Sequence, residues 1–232
     1  MEHTLSRFIY FTALLLLCAP LQAEVQIQPF SADYSVQYNG FKVGEMNQRL
    51  VARDDGTYLM ETEAYATGIA ALFTKDRVIE RSVWRYHEGN IRPISYHYHY
   101  AGGRKKELEE KLDFDWEAMQ VTALYKGRRS QLPLGPGVYD KQLYQLVLRH
   151  QVAQGLREFH YKVADRGKLR EYDFEVTGTD QVVTPFGKVN AVRLKKDDVD
   201  LWLAEDHNYL VVKLKKVDDD DEVTSYISAK SP

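Results

Sequence analysis

The sequence is poor in the residues that most readily betray a function. Its 232 residues include one cysteine, Cys18, so the chain can form no internal disulfide and no cysteine-based zinc cluster. Neither sign of charge dominates, with 31 basic against 34 acidic side chains and a net charge of −3. That leaves no broad basic surface for a phosphate backbone, and nucleic acid is not expected as a partner. There is no G-x-S-x-G nucleophile turn, no Asp-x-Asp-x-Asp-Gly calcium loop and no repeat of fixed period, so the sequence offers no local catalytic signature and solenoids are disfavoured. No cofactor is expected. Seven prolines are scattered without a Pro/Ser-rich linker, which points to one domain over residues 24–232. The 44% hydrophobic share is too high for a mostly disordered chain.

Only one long apolar run exists, Phe8 to Ala19, preceded by Arg7 and followed by Pro20, Leu21, Gln22 and Ala23. It is too short for the roughly 20 residues that span a bilayer, and reads as a secretory signal peptide over residues 1–23. A retained anchor is the alternative. Cys18 would suggest lipidation, but bulky Leu17 stands where a small residue is wanted, so an inert signal-peptide cysteine is the favoured reading. Cleavage removes Arg7 and Glu2 together and leaves the charge at −3. A cysteine-free mature chain suits an oxidising bacterial periplasm, and no membrane span is expected in it.

What is abundant is alternation. Phe30, Ala32, Tyr34, Val36 and Tyr38 alternate with Ser31, Asp33, Ser35 and Gln37, the pattern of a half-buried strand. Asn39-Gly40 follows, a pair that tolerates the positive φ of a type I′ hairpin turn. The next strand changes phase at Gly44-Glu45, which predicts a bulge there. Similar runs recur to Val223–Ile227, for about 11 or 12 strands. One helix is expected over about 140–154: Asp140 caps it, Tyr139 and Tyr144 staple its start, Leu143, Leu146, Val147 and His150 share a face, and Gly155 ends it. A shorter helical turn is expected around Ile69 to Phe73. The fold class is therefore mainly β, a strongly curved antiparallel sheet or open barrel with the helix lying across the hollow or plugging it.

Candidate sites divide between chemistry and plain structure. His97 and His99 lie two apart on one strand face, a spacing that metal sites use. Pairing Trp84 with Tyr96 and Tyr86 with Ile94 sets Val83 and Arg81 opposite them, poor company for a metal, so a solvated polar face is favoured. His150 reads as a tucked-in helix residue rather than a base. Asp197-Asp198 and Asp218–Asp221 read as solvated turns rather than calcium sites. Arg104-Lys105-Lys106 and Lys126-Gly127-Arg128-Arg129 are basic turns that could touch lipid headgroups or glycan, with solvated strand ends as the plainer reading. Among the 16 tyrosines, Tyr34, Tyr38, Tyr96, Tyr98, Tyr100, Tyr161 and Tyr172 fall on one face of alternating strands. A tyrosine face suits a half-wet cleft, and Tyr34, Tyr38, Tyr96, Tyr98, Tyr100 and Trp202 are the candidate ligand-binding residues. The plainer alternative is a core whose hydroxyls reach the rim.

Five pieces carry a resemblance: Phe30-x-Ala32-x-Tyr34, Val43-Gly44-Glu45, Asp140 with Tyr144, Thr184-Pro185-Phe186-Gly187, and Trp202-Leu203-Ala204-x-Asp206. In this order they resemble the exported bacterial family known as domain of unknown function 3108. The chain departs from that pattern at Lys141-Gln142-Leu143 and at Tyr209-Leu210-Val211. The resemblance implies an exported β-rich domain and supplies no catalytic residues. The expectation is a non-catalytic periplasmic protein that binds an amphiphile or an envelope component in the concavity of its sheet. Its competitors are an envelope assembly module that docks another protein and a hydrolase with a dispersed site.

Overall fold

The alternation resolves into strands along nearly the whole chain. The computed structural model describes residues 27–103 and 106–231. The expected signal peptide, its cleavage site, Cys18 and the pair Arg104-Lys105 lie outside them. The first half contains β1 (Phe30–Tyr38), β2 (Phe41–Ala52), β3 (Tyr58–Ala66), the single helical turn α1 (Ala70–Phe73), β4 (Arg77–His87), β5 (Asn90–Ala101) and β6 (Leu108–Asp115). Then come β7 (Gln120–Tyr125), β8 (Arg128–Pro133), β9 (Val138–Tyr139), the helix α2 (Leu143–Ala153), β10 (Glu158–Asp165) and β11 (Lys168–Thr184). The chain ends with β12 (Gly187–Lys196), β13 (Val199–Ala204), β14 (Leu210–Asp218) and β15 (Asp221–Ser231). The strands that the sequence reading misses are β7, β8 and β9, runs of six, six and two residues, of which β9 is too short to display a period.

All fifteen strands join in one sheet, with β1 to β8 running one way from β1 and β15 back to β9 running the other. Every pairing is antiparallel except that of β9 with β10. The sheet curls into a barrel that stays open, because its edges, β8 and β9, do not pair with each other. Side chains bridge the gap instead. Ser130 Oγ on β8 donates to the Gly167 carbonyl at 3.0 Å, and Leu132, Val138 and Ala164 share one apolar cluster.

Tight turns set the registers. Asn39-Gly40, Glu88-Gly89, Lys126-Gly127 and Arg166-Gly167 all have positive φ at both positions, the two-residue type I′ geometry. Because Glu88-Gly89 suffices as the turn, Asn90 already belongs to β5, and this corrects the expected pairing. Tyr86 faces Ile91, Trp84 faces Pro93, Arg81 faces His97 and Ile79 faces His99. The expected bulge in β2 is present, one residue early: Val36 faces Gly44 and Gln37 faces Lys42, leaving Val43 as the extra residue. Gly44 is required for a different reason. A Cβ there would lie 2.6 Å from the backbone oxygen of Tyr65 on β3, and only backbone movement could relieve the clash. Gly44→Ala is expected to cost about 2 kcal/mol and to lower Tm by roughly 5 °C; an unchanged melting curve would show that β2 and β3 can separate freely.

α2 occupies the hollow. Its Val147, Leu148 and Val152 pack on Phe159, Val163, Phe174, Leu194 and Leu203 of β10 to β13. Its Leu143 and Leu146 pack on Leu50, Met60 and Trp84 of β2 to β4. The helix is therefore gripped between the two arms of the sheet, each buried aliphatic side chain contributing roughly 2 kcal/mol. Gly155, at φ 85°, ends it as expected. The expected staple is indirect: Tyr139 and Tyr144 each meet Tyr161, at 6.1 and 6.0 Å between ring centroids.

Candidate functional site

The barrel has two ends. One carries the β1–β2, β3–β4, β5–β6 and β7–β8 connections and is called the hairpin rim here. The other, the mouth, holds the start of β1, the end of β15 and the β11–β12 and β13–β14 connections. α2 runs between a polar cluster in the interior and the mouth.

The polar cluster surrounds the start of α2. Asp140 is fully buried, and its Oδ1 accepts the backbone N–H groups of Gln142 and Leu143, both at 2.9 Å. It thus caps the helix from three residues before its first residue, Leu143. Its Oδ2 accepts the hydroxyl of buried Ser82 on β4 at 2.6 Å. Burial pushes this carboxyl up to about 6, against the pull of those three donors. Beside it, Lys141 Nζ lies 3.4 Å from both Glu110 Oε2 and Asp165 Oδ1 and 4.4 Å from the centre of the Tyr98 ring. Burial raises the Glu110 carboxyl, which Lys141 partly offsets. Burial works against the Lys141 charge, but Glu80, Glu110 and Asp165 outweigh it and its pKa rises. Ser82 and Asp140 are sealed from water, and the bond between them fixes the helix to the wall.

The mouth is different. A cleft of about 910 Å³ opens there between the second half of α2, the segment before β1 and the β13–β14 connection. Ile27, Pro29, Phe30, Leu146, Ala153 and Leu210 supply much of its apolar wall. Arg149 is its distinctive polar group. Its guanidinium stacks on Phe30 at 4.5 Å and donates to the Asn208 carbonyl at 3.2 Å. Among the described residues no carboxylate pairs with it, and burial lowers its pKa to about 10, which still leaves it charged at neutral pH. Across the cleft, Lys230 Nζ lies 3.0 Å from His207 Nδ1. Burial and that ammonium lower the His207 pKa, and Phe186 meets the imidazole edge-on at 4.7 Å. His150 contacts Gln154 and also lines the cleft. The sequence signal for Arg149 was present but unread: an arginine directly after the apolar run Leu146-Val147-Leu148.

The tyrosine candidates do not come together. Tyr34 and Trp202 belong to one buried cluster, Tyr96 and Tyr98 to another. Three of them have their polar atoms engaged: Tyr34 donates to the Val211 carbonyl at 3.0 Å, Tyr96 to Glu80 at 2.6 Å and Trp202 to Asp180 at 2.8 Å. Tyr100 donates to Asp76 at 2.6 Å, and Tyr38, at the rim, donates to Asp221. His97 and His99 do share a face of β5, and each contacts a glutamate, Glu109 at 3.0 Å and Glu107 at 2.5 Å. No group of three potential metal ligands forms among the described residues.

Residues 33–228 match the sequence profile of a family described as "Protein of unknown function (DUF3108)". The chain belongs to this DUF3108 family. No curated protein matches it. Among solved structures, this DUF3108 chain is similar to a crystal structure titled as a β-barrel-like protein of domain of unknown function DUF1849 from Brucella abortus. The TM-score is 0.58 at 10% identity, covering 89% of this chain and 98% of that one. At that identity the likeness concerns the fold, and it agrees with the open barrel seen here. Three of the five DUF3108-like sequence pieces reach the mouth: Phe30 and Asp206 line the cleft, and Phe186 packs on its His207.

Proposed function

We propose that this protein is a non-catalytic periplasmic binding protein that holds an amphiphile with an anionic head in the mouth cleft. The hollow itself is taken up by α2, which moves the expected site from the tyrosine face to the cleft left beside the helix. The observation that carries this reading is Arg149: a charged guanidinium against the apolar side of a cleft whose other side holds Lys230 with Glu205 and Asp206, and itself without a carboxylate partner among the described residues. A carboxylate or phosphate head can take a bidentate bond from such a group, while an alkyl chain covers Phe30, Leu146 and Ala153. Export as read from the N-terminal sequence supplies the compartment.

Native mass spectrometry of the periplasm-purified chain is expected to show one retained amphiphile per protein. Calorimetry with oleate as probe tests the head contact. A charge-assisted bond of about 1.5–3 kcal/mol makes Arg149→Ala bind oleate roughly 10- to 100-fold more weakly, with little change for an uncharged alkyl maltoside. Equal oleate affinity for both proteins would sink the assignment.

A further inference from the structure

The hairpin rim carries a second feature, remote from the mouth. Phe41 at the tip of the β1–β2 hairpin is 77% exposed, and Ile69, Leu72 and Phe73 around α1 are 75%, 80% and 70% exposed. No residue of α1 is buried. The segment Ile69-Ala70-Ala71-Leu72-Phe73 contains no polar side chain, and positions i, i+3 and i+4 put its three large residues on one side of the turn. Isolated exposed apolar residues are ordinary, but four large ones on adjacent connections at one end of a barrel are not.

The charges beside them say what covers this surface. Lys75 follows α1 after Thr74, Lys106 and Lys126 stand on the next two connections along the rim, and Arg128 opens β8, all exposed. None of these four has a salt-bridge partner among the described residues, whereas Lys42 and Arg77 are paired with Glu45 and Glu63 at 2.7 Å. The β5–β6 connection lies against the loop after α1, for a Cβ on Gly102 would lie 3.0 Å from the Asp76 Cα. The unpaired cations thus continue from the apolar turn along one arc of the rim. On the other side of Phe41 comes the acidic β14–β15 turn, Asp218–Asp221, held to the β1–β2 turn by the bond from Asn39 N–H to the Glu222 carbonyl at 2.8 Å.

We propose that this rim docks on an anionic lipid surface, with Ile69, Leu72, Phe73 and Phe41 entering the headgroup–acyl boundary and the lysine arc lying against lipid phosphates. Apolar side chains flanked along one arc by basic residues match the layered chemistry of such an interface, and each basic residue near it adds roughly 1 kcal/mol of attraction. The acidic turn tilts the barrel so that the lysine side approaches first. No helix among the described residues is long and apolar enough to cross a membrane, and docking of this kind needs none.

The test is co-sedimentation of the periplasm-purified chain with phosphatidylcholine vesicles, with and without phosphatidylglycerol as about one-third of the lipid. The expected result is binding to the anionic vesicles, weakened by salt. The double variant Leu72→Glu/Phe73→Glu is expected to bind at least 10-fold more weakly with an unchanged melting curve, since both side chains are exposed. Asp219→Asn/Asp220→Asn is expected to bind more tightly. Failure of the wild type to bind the anionic vesicles, or equal binding by the Glu double variant, overturns the proposal. So does light scattering that shows a dimer which the Glu variant dissolves, because a second copy would then cover the patch.

Discussion

Asp140→Ala is expected to destabilise the protein by about 4 kcal/mol, lowering Tm by roughly 10 °C. The substitution leaves the N–H groups of Gln142 and Leu143 and the Ser82 hydroxyl without their acceptor, all in a site closed to water. It also cuts the bond by which β4 holds the start of α2. Asp140→Asn keeps an acceptor for the helix N–H groups and should cost far less. The pH dependence separates the carboxyl from its shape. Burial lifts Asp140 from the usual 3.8 to about 6. Between those values the folded protein retains a proton that the unfolded chain has released. The wild type therefore loses stability as pH rises through that window, by up to about 3 kcal/mol. Asparagine has no proton to release, so the stability of Asp140→Asn should gain on the wild type from pH ~4 to ~6 and then level off. Urea unfolding across that range measures the difference; a constant offset would mean that the carboxyl is not raised.

The helix was legible because its signals are local. Asp140, the apolar positions Leu143, Leu146 and Val147, and Gly155 lie within one short stretch, and each does in the structure what its chemistry suggests. The hairpin at Asn39-Gly40 was legible for the same reason. Registers were less so. The pairing of β4 with β5 depends on whether Asn90 lies in the turn or the strand, and on the irregularity beside Trp84 where β5 contributes Ile94 as an extra residue; neither leaves a mark in the alternation. The tyrosines fell in the inward phase, yet phase does not tell where along the barrel a side chain lies. Tyr38 stands on the rim while Tyr96 is sealed inside. The buried charges were missed although a signal existed. Glu110 shares its phase with Leu108, Leu112 and Phe114, and Asp165 shares its phase with Tyr161 and Val163, so each is an acid on the inward face of its strand. Such a residue asks for a cation within reach, and half-buried Lys141 is that cation.

Lys141→Met is accordingly expected to be among the most damaging single changes, at about 3–5 kcal/mol, even though methionine fills much of the same space. The two acids would not suffer alike. Asp165 keeps Arg170, whose Nε lies 3.0 Å from its other oxygen. Glu110 keeps backbone N–H groups of the β10–β11 turn, Gly167 at 3.3 Å on Oε1 and Arg166, while its Oε2 faces the vacated position of the ammonium. Its carboxyl, already raised by burial, would rise further, so the variant should recover stability on acidification as Glu110 takes up a proton. Adding Glu110→Gln removes the stranded charge. The double variant is expected to be more stable than Lys141→Met alone, with a coupling of about 2 kcal/mol or more in a double-mutant cycle. Simple additivity would show that Lys141 acts through packing on Tyr98 instead. The position of the triad explains why the barrel retains so costly an arrangement. Glu110 lies on β6 and Asp165 on β10, on opposite sides of the seam where β8 and β9 leave the sheet unpaired, and Lys141 comes from the start of the helix between them. One ammonium thus ties both sides of the seam to the plug, holding shut by charge a barrel that its backbone hydrogen bonds leave open.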